Sequence, residues 1–108
     1  MDFPIVRQVT SGRYLLRGLL TCQPCGELLL PSFSATGGRY YGCPRRRCPR
    51  PWVPAEQTER RVWAHVAATC RGIARDLPTE QRQAVLAAVL NRVSVGPDVA
   101  DLRYDWRA

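Results

Sequence analysis

Residues 22–48 read CQPCGELLLPSFSATGGRYYGCPRRRC and contain four of the five cysteines in this chain of 108 residues. Two residues separate Cys22 from Cys25, four separate Cys43 from Cys48, and 17 lie between the two pairs. Close pairs at this separation are typical of a zinc site with four thiolate ligands. We therefore predict one structural zinc ion held by Cys22, Cys25, Cys43 and Cys48.

Three other arrangements of these cysteines stay open at this point. The four thiols could form two disulfides, could be placed by chance, or could hold iron, which four thiolates also suit. The N-terminal residues MDFPIVRQ do not resemble a secretory signal. No apolar run approaches the roughly 20 residues that span a bilayer. We therefore expect a cytoplasmic protein without a membrane partner, in a reducing compartment that favours metal ligands over disulfides.

The residues around the cysteines predict short antiparallel strands. A leucine-rich segment, residues 14–21, leads into the first pair as a predicted strand, and residues 36–38 (Thr-Gly-Gly) indicate a turn between two further extended segments. Strand propensity is also high at Tyr40 and Tyr41. This order of strands, turns and cysteine pairs is that of a zinc ribbon.

The second half of the chain predicts two helices and a terminal strand. Apolar residues recur at helical spacing over residues 55–77, and again over residues 79–92, where Thr79 is a candidate N-cap. Polar and apolar residues alternate over residues 100–106. The predicted fold is small α+β: an antiparallel four-cysteine zinc ribbon packed with two helices and a C-terminal strand. We expect an N-terminal arm (1–12), a ribbon (13–52) and a helical segment with the terminal strand (53–108) that completes the same single domain.

The positive charge lies mainly in the first half. The chain has 16 basic residues and a net charge of +7, and all 16 are arginine. Eight arginines and two acids fall in residues 1–52, against eight and seven in residues 53–108. A basic surface of this kind indicates a polyanionic partner, and arginine can pair with phosphate or with guanine. We predict double-stranded DNA as the partner, contacted by Arg39, Arg45, Arg46, Arg47 and Arg50.

The sequence resembles the zinc ribbon domain of the large serine recombinases. The resemblance rests on YLLRGLLTCQPCGELLL, GGRYYGC and CPRRRC, followed by a helix with an acidic residue and a tryptophan at VPAEQTERRVW. Residues 82–95 and 104–106 look like the return helix and terminal strand of that family. The resemblance implies a domain that contacts the DNA of an attachment site.

Two parts of a full recombinase have no counterpart in this sequence. One is the upstream catalytic domain, and the other is a long coiled coil, for which the 15 residues 70–84 are too few. Paired carboxylates, a Ser/His/Asp set and a glycine-rich phosphate loop are also missing, so no enzyme activity and no small-molecule substrate are expected. We expect a free-standing DNA-binding ribbon that acts as a regulator or accessory factor, associated with the nucleoid. The alternative is an adaptor that binds a recombinase or the transcription machinery.

Overall fold

The computed structural model describes residues 14–35, 37–70 and 72–107, so the predicted N-terminal arm (1–12) lies outside the described residues. Within these described residues the fold is α+β, as expected, with two three-stranded sheets and two helices. The elements in chain order are β1 (Leu20–Cys22), β2 (Leu30–Phe33), β3 (Arg39–Gly42), β4 (Val53–Pro54), α1 (Ala55–Thr69), α2 (Thr79–Val89), β5 (Leu90–Val95) and β6 (Leu102–Trp106).

The first sheet is the ribbon, with strand order β2-β3-β4 and antiparallel pairing throughout. The predicted turn between β2 and β3 is closed at Gly38, whose N–H donates to the Ser34 side chain at 2.9 Å while its carbonyl accepts from the Ser34 N–H at the same distance. Thr36, also assigned to this turn, lies outside the described residues. One face of β3 packs against α1, where the fully buried Tyr41 donates a hydrogen bond to Glu59 of the helix.

The second sheet has the order β1-β5-β6, in which β1 runs parallel to β5 and β6 runs antiparallel to it. The strand expected over residues 14–21 is wrong for most of its length, because residues 15–19 form a turn and only Leu20–Cys22 is extended. Tyr14, Leu15 and Leu16 are all buried. A strand directs successive side chains to opposite faces, whereas a turn allows three in a row to enter the core.

Helix α1 begins at Ala55 as predicted but ends at Thr69, well before the predicted end at residue 77. Gly72 adopts a φ of 87°, a left-handed conformation that no helix contains. The chain then folds back, and the Trp63 side chain donates to the Arg75 carbonyl at 2.8 Å. Ile73 and Leu77 still pack against the core, but from this returning segment. For Ile73 and Leu77 the apolar spacing therefore predicted burial correctly, but it wrongly predicted that these residues are helical.

Helix α2 begins at Thr79 and ends at Val89, three residues before its predicted end. Thr79 is the first helical residue, and the N-cap position belongs to Pro78, which makes no side-chain cap. The chain continues directly into β5, whose pairing with β6 contains a register shift between Leu90 and Arg92. The predicted strand at the C-terminus is present as β6.

A buried ionic group joins α1 to the ribbon. The Glu59 carboxylate accepts hydrogen bonds from the Tyr41 hydroxyl at 2.7 Å and the Leu15 N–H at 3.1 Å, and it forms an ion pair with Arg39 at 3.0 Å. These three donors satisfy a carboxylate that would otherwise be costly to bury. No helix within the described ranges is long and apolar enough to cross a membrane.

Candidate metal centre and nucleic-acid interface

The first cysteine pair is held in a tight turn at the end of β1. The Gly26 N–H donates to the Cys22 carbonyl at 2.6 Å, and the Cys22 N–H donates to the Glu27 carbonyl at 2.8 Å. Gly26 has a φ of 76°, which a residue with a Cβ adopts only with strain. The turn brings Cys25 back beside Cys22, as the two-residue spacing predicted.

The second pair lies in the loop that follows β3. Cys43 comes directly after Gly42, the last residue of the strand, and the Cys48 N–H donates to the Arg45 carbonyl at 3.1 Å. The loop between the two cysteines carries Arg45, Arg46 and Arg47, all of them exposed. We call residues 43–48 the basic loop.

The four sulfur atoms lie close enough together to bind one zinc ion. The Sγ atoms of Cys22, Cys25, Cys43 and Cys48 all lie within 4.8 Å of one another, and those of Cys22 and Cys48 are 3.7 Å apart. Zinc–sulfur bonds of about 2.3 Å in a tetrahedron place neighbouring sulfurs about 3.8 Å apart. The residues therefore fit one zinc ion, and four thiolates leave no open position for a substrate or catalytic water.

The pKa values of the clustered thiols are shifted in opposite directions. Burial raises the pKa of the Cys22 thiol, but hydrogen bonds from Arg50 and the Cys25 backbone lower it more, to about 7. The hydrogen bond with Cys48 and loss of solvent raise the pKa of Cys25 to about 12. Burial also raises the pKa of Cys43, against the effect of the Arg45 backbone N–H. A metal ion that binds the four sulfurs displaces the thiol protons, so its affinity depends on pH.

The five arginines predicted to contact DNA fall into two groups. Arg46 and Arg47 are exposed on the basic loop and form no ion pair with any described residue, and exposed Arg45 pairs with Glu27 at 3.2 Å. Arg39 instead faces inward to Glu59, with its guanidinium 5.1 Å from the Tyr14 ring centroid.

Arg50 also faces the protein. Its Nε donates to the Cys22 sulfur at 3.2 Å, and one Nη donates to the carbonyls of Val95, at 2.6 Å, and Gly96. The structure therefore brings three of the five arginines together on one loop and turns the other two toward internal partners.

The sequence indicates that Arg39 faces the protein interior, but no local pattern indicates the same for Arg50. Arg39 and Tyr41 are two apart on a strand, so they share a face, and burial of Tyr41 places Arg39 on the packed side. The partners of Arg50 are Cys22 and the end of β5, which lie 28 and 45 residues away along the chain. Sequence reasoning missed the role of Glu59 as the buried hydrogen-bond acceptor.

Exposed apolar side chains lie on β2 and in the segments just before β2 and β4. Leu28, Leu30 and Trp52 are 41%, 46% and 51% exposed. Leu30 pairs with Gly42 across β2 and β3, and the Trp52 ring lies 5.5 Å from that of Tyr40. We call Leu28, Leu30 and Trp52 the apolar patch.

The comparisons with known proteins agree with this geometry. The family model for the recombinase zinc beta ribbon domain matches residues 15–67. A solved structure described as "Sequence Requirements of the Listeria innocua prophage attP site" is similar in fold, with a TM-score of 0.65 and 19% identity. The match covers 98% of this chain and 53% of that chain, so this chain spans about half the length of the solved one. None of the curated proteins matches significantly.

The match and the site describe the same part of the molecule. Both cysteine pairs, the ribbon sheet and most of α1 lie within the matched residues. The clustered thiols supply the four ligands that such a domain requires for its metal. Residues 15–67 are therefore a recombinase zinc beta ribbon domain, whose cofactor is one structural zinc ion.

Proposed function

We propose that this protein binds double-stranded DNA through the basic loop. The observation that carries the proposal is the position of Arg45, Arg46 and Arg47, exposed between two zinc ligands of a recombinase-type ribbon. The metal fixes both ends of the loop, so the guanidinium groups lose little freedom when they bind phosphates or base edges. Arg39 and Arg50 are left out of the interface because their guanidinium groups have internal partners.

The role of the domain is binding and not catalysis. A zinc ion with four thiolate ligands has no free coordination position with which to activate water. We propose that the protein acts at DNA in the cytoplasm as a regulator or accessory factor of recombination.

Equilibrium binding to a labelled random-sequence duplex tests the proposal. The test variant replaces Arg45, Arg46 and Arg47 with Ala, and the control replaces the exposed Arg75, Arg92 and Arg103, which removes the same net charge elsewhere on the surface. Fluorescence anisotropy should show tight binding at low salt for the wild type and the control, and strongly weakened binding for the loop variant. Equal weakening in both variants, or no binding by zinc-loaded wild type, would contradict the proposal.

A second candidate function, an interaction adaptor, is favoured by the apolar patch. Exposed large apolar side chains grouped on one surface are typical of protein contacts. An adaptor would lose its partner, a recombinase or a component of the transcription machinery, when Leu30 and Trp52 are replaced with Ser, and would keep it when the basic loop is changed. Pull-down with each variant in the zinc-loaded form distinguishes this function from DNA binding.

A further inference from the structure

Arg50 connects the zinc centre to the sheet β1-β5-β6, which we call the C-terminal sheet. Its Nε–H donates to the sulfur of Cys22, a predicted zinc ligand, at 3.2 Å. The same guanidinium donates to the carbonyls of Val95, the last residue of β5, and of Gly96, the first residue of the turn that leads toward β6. A second link runs beside it, because the Gln23 N–H donates to the Val95 carbonyl at 2.9 Å.

The surroundings of Arg50 contain little that could balance its charge. The side chain lines a cavity of about 250 Å³ whose other walls are Cys48 and four prolines, Pro24, Pro49, Pro51 and Pro97. Among the described residues, Arg50 forms no ion pair with a carboxylate, and its Nη1 atom is buried without a hydrogen-bond partner. A guanidinium in such a position is costly unless an opposite charge lies close by.

The zinc centre is the group that can supply that opposite charge. Four thiolates and one Zn²⁺ have a formal charge of −2, and the nearest sulfur is already hydrogen-bonded to Arg50. Prolines fix the backbone on both sides of Arg50 and have no N–H groups that would compete for the sulfur.

From this geometry we propose that Arg50 is the counter-ion of the zinc centre and a positioning residue for it. It offsets part of the negative charge of the thiolates, and it couples the metal to the β5–β6 connection. Loss of a residue that hydrogen-bonds to a metal ligand typically weakens metal affinity about 10- to 100-fold. Arg50→Gln should therefore bind zinc about 10- to 100-fold more weakly.

The test compares Arg50→Gln and Arg50→Lys with the control Arg75→Gln, an exposed arginine outside the ribbon. The first readout is the sulfur-to-cobalt charge-transfer absorption of the Co²⁺-loaded protein. A hydrogen bond to sulfur lowers the energy of its lone pair, so Arg50→Gln should shift this band to longer wavelength. The second readout is zinc affinity from competition with a chelator.

The third readout is amide hydrogen exchange at Gln23 and Gly96 in the zinc-loaded proteins. Arg50→Lys keeps the positive charge and should recover part of the zinc affinity. Lysine lacks the planar guanidinium and cannot hold the sulfur and both carbonyls in the same geometry. The amides of Gln23 and Gly96 should therefore still exchange faster in Arg50→Lys than in Arg75→Gln. An unchanged charge-transfer band and zinc affinity in Arg50→Gln would overturn the proposal. Zinc affinity equally low in Arg50→Lys and Arg50→Gln would overturn the counter-ion role.

Discussion

A single zinc ligand cannot be removed without losing most of the energy that the metal contributes to folding. Structural zinc supplies on the order of 10 kcal/mol of folding free energy in small domains, comparable to the whole stability of a domain this size. Cys48→Ser should therefore leave the ribbon unfolded or strongly destabilised. Zinc content and thermal unfolding measure this in the same sample.

Cys70 provides the matched control, because it is half-buried against the core and is not one of the clustered thiols. Cys70→Ser should retain one zinc ion per chain and lose only about 1 kcal/mol of stability, from burial of a hydroxyl. A Cys48→Ser protein that kept its zinc and its melting temperature would contradict the ligand assignment.

Tyr41 makes stability dependent on alkaline pH. Burial, together with the charge of Glu59, raises the pKa of Tyr41 above its ordinary value. The unfolded chain ionises this tyrosine near pH 10 while the folded chain does not, so its contribution is complete below about pH 10 and is lost as the pH rises further. The free energy of unfolding should fall by up to about 1.4 kcal/mol per pH unit in that range.

Tyr41→Phe should make this fall less steep, as measured by denaturant unfolding at a series of alkaline pH values. The slope is the informative quantity, because the substitution also removes the hydrogen bonds from the Leu16 N–H and to Glu59 and so lowers stability at every pH. The same slope in both proteins would show that Tyr41 ionises freely in the folded state.

At the scale of residues, the clustering of the four thiols could be predicted from the sequence and the direction of each arginine could not, while the DNA contacts themselves stay a prediction. Cysteine spacing is a local constraint, because a tight turn fixes both sulfurs of a pair, and the four thiols did come together. The density of arginines is not a local constraint, because the direction of each guanidinium depends on partners elsewhere in the chain. In the structure, Arg39 forms an ion pair with Glu59, and Arg50 donates a hydrogen bond to Cys22.

Among the elements, the end of helix α1 and the turn that follows it depend on the left-handed conformation of Gly72. Its φ of 87° lies in the left-handed region, and nothing lies within 4 Å of the position that a Cβ would occupy. Gly72→Ala should therefore cost about 1–2 kcal/mol through backbone strain alone, and Gly72→Asn should cost less, since asparagine tolerates this region. Denaturant unfolding of the three proteins measures both differences. Equal stability of the alanine variant and the wild type would mean that the helix can end in another way.

The boundary between α2 and β5 shows why periodicity alone misplaced an element. Leu86, Leu90 and Val93 are buried at spacings of four and three, which is the helical pattern. The register shift between Leu90 and Arg92 inserts an extra residue into the strand, so two side chains three apart face the same side. The pairing of β5 with β1, about 70 residues earlier, cannot be predicted from a short stretch of sequence around β5.

In the whole molecule, the zinc ligands come from both sheets. Cys22 is the last residue of β1 in the C-terminal sheet, whereas Cys43 directly follows β3 of the ribbon. We therefore expect zinc removal to loosen both sheets and not the ribbon alone.

Amide hydrogen exchange before and after chelation tests this expectation. Exchange should rise in β5 and β6, which contain no ligand, as well as in β2 and β3. Protection that persisted in β5 and β6 of the zinc-free protein would show that the C-terminal sheet folds without the metal.

The most direct test of the proposed function is the salt dependence of DNA affinity. If the three arginines of the basic loop each neutralise one phosphate, the slope of log affinity against log salt is about −2.7 for the wild type, which is a loss of about 40-fold between 50 and 200 mM salt. Replacement of Arg45, Arg46 and Arg47 with Ala should bring the slope close to zero. A wild-type slope near zero, or an unchanged slope in the triple variant, would show that the basic loop is not the DNA-binding surface.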